Sequence, residues 1–403
     1  MGDGPVHGLD DGVTVGVEEE FLLVDAETRR TVPRAAAVLA RVPKPRVAPT
    51  PGGGLYEELL TAQVEAATGI CTTLDALRDH LCDGRRRLAA AASGEDARLI
   101  SSGTAVLPGP SVPVTPGERF AQIADRYAGV VADYQTCGCH VHTGVADRET
   151  AVAVVNHLRP WLPTLVALAA NSPFDHGRDS GYASWRMLEQ ARFPGSGVPP
   201  SFPSASAYDH QVALLVEAGA LIDERMSFWL ARPSPRLPTV EVRAGDAAAT
   251  VDEAILQAAL VRALVRTALT DLARGREAPA VGSQLCAAAT WSAARYGLDG
   301  PGVHPIEERA VPAARLLREM LDRIRPALEA SGDLARVHAV LAWLSRHGGG
   351  ASRQRAAAAH GPEAVVDLLA EQTIAATEAP AGLSNRSGRS GRHRQDEDLT
   401  ESS

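Results

Sequence analysis

Three short stretches of the chain each place two ionisable side chains two residues apart. TVGVEEEFLLVD (14 to 25) carries Glu18 and Glu20, CGCHVHTGV (137 to 145) carries His140 and His142, and PTVEVRAGD (238 to 246) carries Glu241 and Arg243. Apolar β-formers surround each pair, so all three read as strands. Strand side chains alternate, which puts both members of a pair on one face. Glu18 and Glu20 would lie roughly 6.6 Å apart along their strand, from a rise of about 3.3 Å per residue. Glu19 would face the other way with Val15, Val17 and Phe21. Burying two such carboxylates unpaired is expensive, so an arginine or a metal ion is expected between them. The alternative for this segment is an edge strand with its glutamates in solvent. If the three strands share one antiparallel sheet, their polar faces align into a concave floor. Such a floor suits divalent cations and a polyphosphate, because hard cations prefer carboxylate oxygens and keep positions open for phosphate.

CGCHVHTGV also holds zinc-type ligands, and a metal-dependent hydrolase built on His140 and His142 is the rival enzyme class. Alternation argues against a Cys/His site, since Cys137 and Cys139 would face away from the histidines. Core cysteines beside a solvated histidine pair are the plainer alternative. The loop NSPFDHGRDSGYASWR (171 to 186) is dense in directed donors and suits a small anion or carboxylate. Within it Arg178 and Asp179 could form a structural ion pair, whereas Arg186 can grip a carboxylate with two parallel bonds. Lys44, between prolines, is the only lysine. No P-loop Gly-Lys-Ser/Thr exists and a pyridoxal Schiff base has no convincing lysine, so any ATP must be handled by metals and arginines.

The elements that must carry these groups follow from periodicity. Residues 74 to 95 read as an amphipathic helix through Leu74, Leu77, Leu81 and Leu88. ARLISSGTAVL (97 to 107) reads as a core strand ending in a turn, and 118 to 134 as a helix. Residues 147 to 171 read as one long apolar helix, and 250 to 273 as a helix with a Thr/Asp cap. The glycine- and proline-rich stretch from 173 to 206 is a candidate lid, and two or three helices are expected within 303 to 376. The chain divides into a flexible N-terminus (1–12), a catalytic domain (13–378) and a disordered tail (379–403) without apolar content. A net charge of -9 argues against nucleic-acid binding. No apolar run approaches the ~18 residues of a membrane span. Five cysteines and no signal-like leader point to the cytoplasm. Small molecules are the expected partners, and a homo-oligomer is compatible with the sequence.

GVEEEF, ELLTAQVEAAT (58 to 68), CGCHVHTGV, ANSPFDHGRDSGYASWR and TVEVRAGDAAATVDEAILQAALVRALV occur in that order. From about residue 12 to 376 the chain resembles the type 2 glutamate–cysteine ligases, ATP-dependent carboxylate–amine ligases. The resemblance implies an α+β, glutamine synthetase-like catalytic fold: an antiparallel β-sheet bowl with packed helices behind it. It implies ATP and Mg2+ (or Mn2+) as cofactors, and a reaction joining the γ-carboxylate of glutamate to an amine such as that of cysteine. Carried over residue by residue, Glu18, Glu20, Glu65, His140 and Glu241 would hold metal, with Glu58 a further acidic position. Arg243 and Glu241 would serve catalysis at the transferred phosphate. Arg186, Tyr182 and His142 would bind substrate, Arg186 at an α-carboxylate. RYGLDG (295 to 300) and SRQR (352 to 355) also match. Two segments depart from the pattern: AVLPGP (105 to 110) replaces a His-Pro pair after SSGT, and AAATWSA (287 to 293) keeps Trp291 without its polar neighbours. They bear on the amine substrate and the rate, and a catalytically degenerate binding protein is the third reading.

Overall fold

A computed structural model describes residues 12–46 and 51–375. The N-terminus and the tail assigned above to flexible segments lie outside the described residues, apart from position 12. The main sheet has seven strands: β1 (Val15–Asp25), β2 (Gly54–Glu57), β3 (Gln63–Ala67), β4 (Ala97–Ile100), β5 (Gly138–Gly144), β6 (Ala231–Pro233) and β7 (Thr239–Asp246). Their order is β6-β7-β5-β1-β3-β2, and every pairing is antiparallel. Strands β5 and β4 lie end to end along one side of β1, pairing with residues 15–19 and 22–25 respectively. The glutamate strand is therefore interior to the sheet, not an edge.

One sheet face is apolar and covered by helices. Val15 and Val17 of β1, Cys139 and Val141 of β5, and Val240 and Val242 of β7 join a single core with Leu77 and Leu81 and much of the helix Val251–Ala273. That helix starts with a capping box: the Thr250 side chain accepts from Glu253 N, and Glu253 reaches back to the Thr250 backbone. Glu19 also points into this covered face. Its carboxylate meets Arg85 of the helix Leu74–Ser93 in two bonds of 2.6 and 3.1 Å, with both side chains shut off from solvent. Arg85 further donates to the carbonyls of Ala248, Ala249 and Thr373, tying the sheet to two other segments. The opposite sheet face is the floor of the bowl.

Several expectations need correction. The long helix of 147 to 171 is two helices, Arg148–Leu158 and Leu162–Ala169. Pro160 has no N–H with which to extend the first helix, and Pro163 lies in the first turn of the second, where its missing N–H is harmless. The helix expected from 118 ends at Tyr127 and continues only as a 3-10 turn, Ala128–Val130. Four helices rather than two or three follow residue 312: Ala313–Ser331, Leu334–His347, Gly350–Ala357 and Pro362–Ile374. A hairpin of Pro301–His304 with Arg309–Pro312 precedes them.

Candidate active site

The three sequence pairs meet on the floor because register brings them opposite one another. Glu18 pairs with His140 across β1 and β5, His142 with Glu241 across β5 and β7, and Glu20 with Glu65 across β1 and β3. Glu18 lies between two imidazoles, 3.6 Å from His140 Nδ1 and 3.4 Å from His142 Nε2. Glu20 stands 3.8 Å from His140 Nε2 and accepts from Gly138 N at 2.6 Å. Between Val242 and Gly245 the β5–β7 register shifts, a bulge of the kind that re-aims side chains. There Arg243 turns to donate to Glu241 and lies 3.4 Å from His140 Nδ1.

Two acidic groups result. Ligand atoms of Glu18, His140 and Glu241 lie within 4.8 Å of one another, and so do those of Glu20, Glu58 and Glu65. The groups differ in charge. Burial pushes the Glu18 carboxyl up, but hydrogen bonds from His140 and His142 outweigh it and hold it well below the usual range. Glu241, more deeply buried than Glu18, is held down by Arg232 and Arg243. In the second group burial wins. Glu20 is raised despite Arg186 and Arg243, Glu58 is raised to about 7 by burial and the Glu20 charge, and Glu65 is raised further by burial and its three acidic neighbours. His140 falls to about 4 through burial and the nearby Arg243, so it is a neutral ligand near neutral pH. Burial disfavours the His142 imidazolium, yet Glu18 holds its pKa above the ordinary value.

The donor set fits divalent cations. Burial and neighbouring carboxylates raise Glu58 and Glu65, and His140 Nε2 is buried without a partner. Oxygen ligands with one neutral imidazole suit Mg2+ or Mn2+ better than a thiolate zinc site. Cys139 faces away from the histidines, packing with Val15 and Val17. Cys137 does not follow that expectation: just ahead of β5 it packs with Leu22 and Ile100 and accepts from Gln63 Nε2 at 3.7 Å, on the side of β1 that carries Glu18 and Glu20.

Arg186 opens the helix Arg186–Gln190 and is almost fully buried. Its two Nη atoms reach Arg243 O only at 3.4 Å, Asp246 is 3.9 Å away, and its Nε has no partner. It borders a cavity of about 140 Å3 that also touches Glu20, Glu58, His140 and Arg243. Gly138 makes this approach possible, since a Cβ there would stand 2.4 Å from Arg186 Nη2. The candidate-lid reading of 173 to 206 does not survive as a whole. Ser184 and Ser172 donate to the buried Asp246 at 2.8 and 2.7 Å, and Ala183 N bonds Ala294 O, so the segment around Arg186 is an anchored wall.

Tyr182 is placed differently from the expectation. It does not line that cavity; its hydroxyl accepts from the half-exposed Trp291, and Arg295 lies over its ring. His142 sits on the floor, but its Nδ1 contacts Thr239 Oγ1 at 2.9 Å and its Nε2 faces Glu18, which makes it a partner of that carboxylate. In the departing segment, Ala105, Val106 and Leu107 are buried among Phe174 and Val365.

Sequence reasoning missed Arg232. It lies opposite Glu241 on β6 and grips that carboxylate at 2.8 and 3.1 Å, while its Nη1 donates to the carbonyls of Arg225 and Ser227. Each carboxylate oxygen has two lone pairs, so Glu241 Oε2 keeps one for a cation. The signal was local: Ala-Arg-Pro carries an arginine in a short run just before the Glu241 strand.

The profile of glutamate–cysteine ligase family 2 matches residues 14–373. A relative from Saccharopolyspora erythraea, named as a type 2-2 glutamate–cysteine ligase, is 57% identical over 370 residues, covering 92% of this chain and 94% of its own. A Nocardia farcinica relative named as type 2-1 is 44% identical over 366 residues, covering 90% and 94%. The solved glutamate–cysteine ligase of Francisella tularensis, in complex with AMP, superposes with a TM-score of 0.64 at 14% identity, over 91% of this chain and 90% of that one. At that identity it shows the fold alone. The expected α+β sheet bowl with helices behind it is thus found. Fold and floor define an ATP-dependent carboxylate–amine ligase. Within that class, the chain belongs to glutamate–cysteine ligase family 2.

Proposed function

We propose that the protein joins the γ-carboxylate of glutamate, or of a similar acid, to the amine of an amino acid such as cysteine. ATP is cleaved to ADP and phosphate, by way of an acyl phosphate. The observation that carries this reading is the meeting of two acidic groups, Arg243 and the Arg186 cavity on one floor. A carboxylate and an amine do not condense unaided near neutral pH, because the departing oxygen is a poor leaving group. Attack of the substrate carboxylate on the γ-phosphorus expels ADP and makes that oxygen part of a phosphate. Attack by the amine nitrogen on the acyl carbon then releases it. Mg2+, held by Glu18, His140 and Glu241 and by Glu20, Glu58 and Glu65, would neutralise the phosphate oxygens.

The chain's own residues supply the rest. Arg243 is held by Glu241, yet its Nε is buried without a partner, a donor free for a phosphoryl oxygen. Arg232 locks Glu241 in place from the other side. Arg186, with its Nε likewise free, would take the α-carboxylate of the acid. Lys44 is exposed on a loop and plays no part. Among the described residues no helix is long and apolar enough to cross a membrane. Five cysteines, none of them in a disulfide, support a reducing, cytoplasmic setting.

The test is an ADP-release screen of acid–amine pairs with Mg2+ or Mn2+. Release that needs both glutamate and an amine is the expected result. Absence of release across a broad panel of acids and amines would sink the ligase reading.

A further inference from the structure

Arg186 is followed four residues later by Gln190, which the chemistry above leaves unused. Side chains at i and i+4 of a helix are neighbours on one face, so the guanidinium and the amide stand side by side. Both residues are over nine-tenths buried and both line the cavity that opens beside Glu20 and His140. The Gln190 amide makes no hydrogen bond to any described residue, and its Oε1 is buried without a partner. Leaving such a group unsatisfied is ordinarily costly, because its lost hydration is not replaced. The contrast with Gln63 in the same lining is sharp. Its Nε2 donates to Thr136 O at 2.6 Å and its Oε1 accepts from Leu60 N at 3.2 Å. Of the other arginines of the lining, Arg119 and Arg225 both clamp Asp223, and Arg243 is held at one edge by Glu241 and given above to the phosphoryl group.

A guanidinium held only by long contacts, with its Nε free, beside an uncommitted amide matches the two groups on one α-carbon. We propose that Gln190 reads the α-ammonium group of an amino-acid substrate whose α-carboxylate rests on Arg186. The assignment rests on the cavity being the acid-substrate pocket proposed above. An amide oxygen suits this task because it accepts from an ammonium without adding another buried charge beside Glu20 and Glu58. With neither terminal atom committed, the amide can turn its oxygen toward the ligand. Gln190 is thereby a specificity determinant: it separates an α-amino diacid from the same diacid without its amine. Discrimination by a site built to hydrogen-bond a missing group is strong, because the site's buried polar atom is otherwise left unpaired.

The experiment measures binding of L-glutamate and of glutarate by calorimetry, on the full chain with Mg2+ and a non-hydrolysable ATP analogue. Wild type should hold glutamate more tightly than glutarate. Gln190→Met keeps the side-chain length and should weaken glutamate by about tenfold to a hundredfold while leaving glutarate unchanged. Gln190→Glu retains an acceptor and should keep the preference for glutamate, which a purely structural role would not predict. Parallel weakening of both ligands in Gln190→Met, or a wild type that does not distinguish them, overturns the assignment. ADP release by wild type is scored separately. A protein that turns over ATP with acids and amines yet does not distinguish the two ligands remains a ligase and loses only the Gln190 role.

Discussion

Arg243 illustrates how a single cation can be held and still be available. Glu241 and His140 fix its guanidinium at one edge, while its Nε faces no protein acceptor. Removing a transition-state donor of this kind typically costs about 3–4 kcal/mol, or roughly 10²–10³ in rate. Arg243→Lys keeps a charge but not the fork, so kcat should fall by that amount with little change in ATP affinity. Lys44→Ala should be silent. Steady-state kinetics of both at saturating Mg2+ decide the point, and an inactive Lys44 variant beside an active Arg243 variant would overturn the role given to Arg243. At Arg186, Arg186→Lys should raise KM for the acid more than KM for ATP. An unchanged KM for the acid removes Arg186 from the substrate site.

At the scale of the element, β1 divides three consecutive glutamates between two environments. Glu18 and Glu20 face the floor, and Glu19 is sealed against Arg85. The first two variants, Glu18→Gln and Glu20→Gln, should abolish ATP turnover while leaving the melting temperature close to wild type. Glu19→Gln should do the reverse. Breaking a buried pair from one side leaves an uncompensated charge and costs roughly 3–5 kcal/mol, here on Arg85, which also bonds three backbone carbonyls. Metal titration alongside thermal melts separates the outcomes. Equal loss of metal affinity in all three variants would contradict the division of faces.

The whole molecule shows the acidic floor as a pH-dependent load on stability. Glu58 moves from 4.5 to about 7 on folding, and Glu20 and Glu65 also rise. A carboxyl raised by folding contributes stability that is fully present below its unfolded pKa and lost as pH climbs through the folded one. Metal-free protein should therefore lose stability between about pH 4.5 and 7 from this group. Cations bind the deprotonated form and restore it, releasing protons as they do. The rise in Tm on adding Mg2+ should be larger at pH 8 than at pH 5.5. A rise independent of pH would place the cation away from Glu20, Glu58 and Glu65.

Much of the floor was legible because strand alternation is a local rule. Spacing by two put Glu18 with Glu20, His140 with His142, and Glu241 with Arg243 on shared faces, and cross-strand register then joined them. The same rule sent Glu19 and Cys139 to the other side, whereas Cys137, ahead of the strand, escaped it. The Thr250 cap was equally readable, since its partner Glu253 is three residues away. What tertiary structure decided are meetings over long separations. Arg85 reaches Glu19 across 66 residues, and Arg29 joins Asp367 across 338. Tyr182 lies beside Trp291 rather than in the cavity for the same reason: its place depends on how the helix Ser283–Tyr296 docks. Alternation states which face a side chain takes. Only the packed core, by setting register and helix position, determines what stands opposite it.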